Sequence, residues 1–263
     1  MIKALKERMS RRAPDAQVPP GLRVYAIGDI HGRSDLLDVL LQKIGADDTA
    51  RGPAETHLVF LGDVVDRGPD STGAVERLRL LSSASDRVHL IKGNHEEMML
   101  AALDEQSGKS SAMRLFFKNG GRETMLSYGV AEVDDPRMSF DELRQFTRAR
   151  IPMEHLETLR GMKAWVVFGD YLFVHAGIRP GVPIEEQSES DLRWIRDSFL
   201  RSRANHGHVV VHGHSIVDAV DFQPNRIGVD TGAFASGRLS AVGLEGAERW
   251  VIAAEDAALN WET

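Results

Sequence analysis

Along the first hundred residues, short apolar runs alternate with segments of helical period. Leu22 to Ile27, Leu58 to Leu61 and Val88 to Ile91 are too short for buried helices and read as buried strands. Each is followed by an apolar stripe at three- and four-residue spacing. The first stripe is Leu36, Leu37, Leu40, Leu41 and Ile44, with Gly45 as its stop signal. The second is Ala74, Val75, Leu78 and Leu81, and the third is Met98, Met99, Ala102 and Leu103. Three strand–loop–helix units predict βαβ connections and a parallel core. In such sheets ligands bind beyond the carboxyl ends of the strands.

The rhythm breaks from Gln106 to Arg160, a stretch rich in charge and glycine with helical patches at Met113 to Phe117 and Leu143 to Phe146. It reads as a mainly helical insertion that caps or flanks a site. Ala164 to Phe168 and Tyr171 to Val174 then read as strands joined by Gly169-Asp170, a hairpin signal. Val209 to Val211, Leu239 to Val242 and Trp250 to Ala253 continue a strand-heavy second half, expected to be mostly antiparallel. The expected organisation is a flexible tail over 1–20 and one α/β domain over 21–263, with its insertion at about 106–160.

Composition narrows the function. The 263 residues are 42% hydrophobic and 27% charged, an ordinary globular balance. A net charge of −7 argues against a nucleic-acid carrier, and no nucleic-acid partner is expected. The chain has no cysteine, which leaves out a disulfide scaffold, a thiolate nucleophile and a cysteine-based zinc site. No run reaches the roughly 18 apolar residues that span a bilayer, so no membrane insertion is expected. The basic first residues (Lys3, Lys6, Arg8, Arg11, Arg12) have no apolar stretch after them and are no secretory signal. They read as a solvated tail ending at Pro19-Pro20, with a lipid-touching amphipathic helix as the competing reading; the expected location is the cytoplasm.

The chemistry gathers where the strands stop. Gly28-Asp29-Ile30-His31-Gly32 follows the first apolar run, Gly62-Asp63-Val64-Val65-Asp66-Arg67-Gly68 the second and Gly93-Asn94-His95-Glu96 the third. Carboxylate, imidazole and amide oxygen are ligands of borderline divalent metals. Asp29 and His31 lie two apart, so extended backbone turns both to one side. Asp63 can bridge two cations through its two oxygens. His175 and His214 each follow a later strand.

Together these motifs resemble those of the calcineurin-like metallophosphoesterases, in particular their bacterial phosphoprotein phosphatase branch. Val174-His175-Ala176-Gly177, Asp191 to Arg196, Gly213-His214-Ser215 and Asp230-Thr231-Gly232 extend the resemblance over roughly residues 22–245. It implies a two-sheet sandwich flanked by helices and a two-metal site. Asp29, His31 and Asp63 would hold one metal; Asp63, Asn94, His175 and His214 the other. Manganese is the expected ion, and iron and zinc suit the same ligands. A metal-bridging hydroxide would attack phosphorus in line.

The resemblance makes His95 the proton donor to the leaving alkoxide, with Asp66 fixing its tautomer; phosphate binding alone is the competing role for His95. Arg67 would hold phosphate oxygens, and so would Arg196 unless it is merely a solvated helix arginine. Asn94 joins them at the substrate. His212 is expected to pack behind the site rather than bind metal. His57 and His89 read as half-buried strand residues, and His155, His206 and His208 as surface or loop. Asn119-Gly120-Gly121 either approaches the site or is a plain turn.

The expected substrate is protein phosphoserine or phosphothreonine, with phosphotyrosine and small phosphomonoesters as further candidates. The alternative is a dinucleoside polyphosphate such as diadenosine tetraphosphate. A non-catalytic binding protein of the same fold is the third reading.

Overall fold

The computed structural model describes residues 16–104 and 110–256. Most of the expected tail therefore lies outside the described residues. Strands β1 (Leu22–Ile27), β2 (Glu55–Phe60) and β3 (Val88–Leu90) run parallel, as the apolar runs predict. Helices α1 (Ser34–Arg51), α2 (Ser71–Ala84) and α3 (Asn94–Leu103) follow them in turn. Strands β9 (Arg238–Glu245) and β10 (Glu248–Glu255) return to this sheet antiparallel, giving the order β10-β9-β1-β2-β3.

The second sheet holds β4 (Trp165–Phe168), β5 (Tyr171–Val174), β6 (Val209–His212), β7 (Asp221–Gln223) and β8 (Arg226–Gly228), in the order β4-β5-β6-β8-β7. The hairpin expected at Gly169-Asp170 joins β4 to β5, and β7 pairs antiparallel with β8. The central strands β5, β6 and β8 are parallel, so this half is mixed rather than mostly antiparallel. The parallel pairs are separated by long crossovers whose pairing partners the short apolar runs did not reveal.

The period of two assigns each strand face to its own core. Tyr25 and Ile27 of β1 face the helices α1 to α3, whereas Val24 and Ala26 face the second sheet. There they meet Tyr171 and Phe173 of β5, while Leu172 and Val174 point away into a third core with Leu192, Ile195 and Phe199. The result is a layered sandwich of helices, sheet, sheet and short helices.

A second expectation also changes. Helix α1 does not stop at Gly45 but runs to Arg51 and ends at Gly52. A glycine inside a helix costs about 1 kcal/mol, and the turn beyond it is tied to the sheet. Asp47 accepts from Tyr25 Oη at 2.6 Å and Trp250 Nε1 at 2.9 Å, and Asp48 accepts from Arg23 Nη1 at 2.7 Å.

The insertion is helical as expected, with α4 (Ser110–Phe116), α5 (Arg122–Ser127), α6 (Phe140–Arg150) and α7 (Met153–Gly161). Its Met113, Phe116, Met125, Leu143, Leu156 and Leu159 share the core of α1 to α3, so it flanks the sheet.

Candidate metal centre

Six loops converge at one end of the sandwich. They leave β1 with Asp29 and His31, β2 with Asp63 to Arg67, β3 with Asn94 and His95, β5 with His175, β6 with His214, and β8 with Asp230. Their backbones are knitted together: Ile30 and His31 both donate N–H to the Asp63 carbonyl, at 3.1 and 2.8 Å. Gly62, at φ +102°, lets the loops close; a Cβ there would stand 2.7 Å from Gly93 N and 2.8 Å from His175 Nδ1.

Among the described residues, five non-glycine residues have positive φ: His31, Asp63, Asp66, Arg67 and His214. All five belong to these loops. Left-handed backbone costs such residues about 1–3 kcal/mol each and persists only where the surroundings over-determine it.

The side chains form two triplets of potential ligands that share Asp63: His31, Asp63 and His95, and Asp63, His175 and His214. His31 Nε2 lies 3.7 Å and His175 Nε2 3.4 Å from Asp63 Oδ2. In both rings Nδ1 faces a backbone carbonyl, Val65 O at 2.8 Å and Leu61 O at 2.7 Å. Donation from Nδ1 places the lone pair on Nε2, the arrangement common to metal-binding histidines. His175 Nε2 is also 2.9 Å from Asn94 Oδ1. Asp29 falls outside both triplets, but its carboxylate accepts the His214 N–H at 3.0 Å and lies against Gly213.

The residues suit a divalent cation. His214 Nε2 is buried with no hydrogen-bond partner, a costly condition for a nitrogen that a metal would satisfy. Burial, reinforced by Asp230 and Asp63, pushes the Asp29 carboxyl well above the usual carboxylate range. Burial lowers His31 to about 3 and holds His214 far below its ordinary value, so both favour the neutral, ligating form. At Asp63 burial opposes ionisation, but His175, His95 and His31 outweigh it and hold the carboxyl well below its ordinary value.

A profile of the calcineurin-like phosphoesterases matches residues 22–239. The chain belongs to the calcineurin-like phosphoesterase family. It is 30% identical over 223 residues to serine/threonine-protein phosphatase 2 of Salmonella typhimurium, covering 82% of this chain and 90% of that one. It is also 28% identical over 204 residues to the symmetrical bis(5'-nucleosyl)-tetraphosphatase of Nitrosospira multiformis, covering 73% and 61%. A solved structure described as a candidate diadenosine tetraphosphatase superimposes with a TM-score of 0.60 at 22% identity, covering 92% and 100%. This metallophosphoesterase is thus a hydrolase of a family that uses divalent metals. No described helix is long and apolar enough to cross a membrane.

Around these candidate ligands, His95 Nδ1 donates to Asp66 Oδ2 at 2.7 Å. Burial opposes the protonated ring, and Asp63 with Asp66 outweighs it, holding His95 above its ordinary value. Arg67 Nη1 donates to His31 Nε2 at 3.0 Å, and its guanidinium lies 4.8 Å from the centre of the Phe234 ring. Arg196 is exposed and precedes the short helix Asp197–Leu200 rather than riding on a helix; its charge is felt at His214. His212 is buried, packs its ring on Phe199 and stands outside both triplets, as expected of a residue behind the site.

His57 and His89 lie in β2 and β3, as expected, and stack on each other beside Phe168. His155 does not lie on the surface; it is buried between Tyr128 Oη at 2.9 Å and Glu76 Oε2 at 3.0 Å. Asn119-Gly120-Gly121 does approach the site, where Gly120 O accepts the Arg67 N–H at 3.1 Å.

The residue most clearly missed by sequence reasoning is Glu96. Its fully buried carboxylate accepts the N–H groups of Asp63, Val64 and Gly93 at 2.9, 2.7 and 2.9 Å. It thereby fastens the second motif to the third, and its place beside Asn94 and His95 was the available signal. Thr124, hydrogen-bonded to Asp66, lies 58 residues away and gave none.

Proposed function

We propose that this phosphoesterase hydrolyses phosphomonoesters, with protein phosphoserine and phosphothreonine as its substrate class. Asp29, His31 and Asp63 would hold one divalent metal, and Asp63, Asn94, His175 and His214 a second, manganese being the favoured ion. When bound, such metals supply Lewis acidity and a nucleophile generated from water. Arg67 is half-buried at the ligand cluster, where its planar guanidinium can receive two phosphate oxygens. Asn94 lies at the same point, and Arg196 extends the positive charge outward. The His95 imidazole carries its proton on Nε2, the nitrogen facing the cluster, and gives it to the departing alkoxide oxygen. Asp66 behind the ring keeps Nδ1 occupied and stabilises the charged form.

The His95–Asp66 dyad set against the shared carboxylate of Asp63 is the observation that carries phosphoester hydrolysis. The protein substrate is supported by the near-complete overlap with the Salmonella phosphatase. The insertion supports it too: Phe116 and Tyr128 are consumed in the core, Phe117 packs on Phe140, and the exposed Phe146 ring lies against Arg150.

Dinucleoside polyphosphate hydrolysis is the second reading. It is favoured by the tetraphosphatase relatives and by the Trp194 indole, which is 40% exposed and 6.4 Å from the His214 ring. Turnover of a phosphoserine peptide and diadenosine tetraphosphate, side by side with manganese, iron and zinc, decides between them. The peptide is expected to be cleaved faster; much faster cleavage of the dinucleotide overturns the first reading.

A further inference from the structure

The helical insertion meets the catalytic loop at Gly120 and Thr124, and the start of α2 at Ser127. Thr124 and Ser127, three apart on α5, are neighbours on one helix face, and Gly120 precedes that helix in left-handed backbone. Gly120 O accepts the Arg67 N–H at 3.1 Å. Thr124 Oγ1 donates to Asp66 Oδ1 at 2.6 Å and accepts the Asp66 N–H at 2.9 Å. Ser127 Oγ accepts the Thr72 N–H at 2.9 Å and bonds to Thr72 Oγ1 at the same distance.

A buried helix face would ordinarily present apolar side chains. This one presents Thr124 to a loop that the motifs already mark as functional, and Ser127 to the helix that follows that loop. We propose that Thr124 and Gly120 are positioning residues for the reaction: Thr124 sets Asp66 and through it His95, and Gly120 sets Arg67. The proposal rests on the reading of His95 as proton donor and deepens it.

Thr124 is fully buried, so no water competes for its hydroxyl. Its single proton goes to Asp66 Oδ1, which leaves Oδ2 for His95 Nδ1 at 2.7 Å. Both carboxylate oxygens are then fixed, and the imidazole plane with them. The Asp66 N–H is held as well, by Thr124 and by Ser71 Oγ at 3.1 Å. These bonds fall on a residue at φ 74°, and its neighbour Arg67 is at φ 71°. Two successive left-handed residues are unfavourable without outside support, and the insertion supplies it.

Gly120 is shaped for its part. It sits at φ +101°, and a Cβ would stand 2.7 Å from both Arg67 N and Arg67 Cγ. Only a bare backbone lets its carbonyl reach that N–H.

The test uses the full chain and two aryl esters: p-nitrophenyl phosphate, with a good leaving group, and phenyl phosphate, whose phenolate needs a proton far more. Thr124→Val is expected to lower kcat on phenyl phosphate by about 10- to 100-fold, the usual effect of losing an orienting hydrogen bond. The loss on p-nitrophenyl phosphate should be much smaller, KM should hold on both, and Thr124→Ser should recover the activity. Gly120→Ala is expected to raise KM on both esters alike.

His95→Asn is the benchmark. Equal losses on the two esters in His95→Asn overturn the proton-donor reading itself. A leaving-group bias in His95→Asn with none in Thr124→Val overturns this proposal, as does a Thr124→Val variant that only melts earlier. Should the valine variant not fold, Thr124→Ala carries the same comparison.

Discussion

The strand-end loops and the outer face of the insertion follow opposite rules. The loops bury Asp29, Asp63, Asp66 and Glu96 beside four histidines and hold five non-glycine residues at positive φ. The outer face keeps to local preference. Helix α6 begins with a capping box between Ser139 and Glu142, and the insertion's surface carries pairs such as Arg122 with Asp134 and Arg137 with Asp135. The contrast teaches that this chain concentrates unfavourable conformation and burial where its candidate ligands converge. That concentration is sustained by bonds from elsewhere in the fold.

Three substitutions break or sharpen the contrast. Asp63→Asn removes the carboxylate shared by both ligand triplets. Losing an orienting partner of a metal ligand costs 10- to 100-fold, so losing the shared ligand should lower p-nitrophenyl phosphate turnover by more than about 100-fold. Metal content of the purified protein should fall with it, and full activity in this variant would remove the two-metal reading.

Glu96→Gln keeps the shape but turns an amide toward buried N–H groups. A stability loss of about 3 kcal/mol in urea unfolding is expected, with activity falling as the two motifs separate. Unchanged stability would mean that the loops do not depend on this carboxylate.

Ser139→Ala deletes a helix cap far from the ligands. It should cost about 1 kcal/mol and leave turnover unchanged. Lost turnover would show that the two regions are not separable.

The same contrast explains what the sequence disclosed. The loops were legible because each sets glycine and metal-binding side chains directly after an apolar run, a local arrangement. Asp29, His31, Asp63, Asn94, His175 and His214 are named from that arrangement and the family resemblance, and the structure brings them to one end of the sandwich. The first sheet was legible for a similar reason, since its three parallel strands alternate with striped helices.

Information carried by distant partners was hidden. His155 looks like a surface residue until Tyr128 and Glu76 enclose it. Gly45 looks like a helix stop until Asp47 and Asp48 are seen tied to β1 and β10. The parallel pairing of β5, β6 and β8 depends on crossovers that short apolar runs do not describe. Thr124 speaks to Asp66 only after the insertion has docked.

The convergence of loops from both sheets has a kinetic consequence. Asp29, His31, Asp63 and Asn94 leave the first sheet, and His175 and His214 leave the second. The hydrogen bond between Asp29 and the His214 N–H closes a span of 185 residues. Contacts of such high sequence separation form late, because loop-closure entropy must be met before they contribute. Helices α1 to α3 can gather on their own sheet without the ligand set being complete. Assembly of the candidate site therefore requires both sheets to be seated on one another, a long-range step of the same kind as the β1–β9 pairing that closes the first sheet.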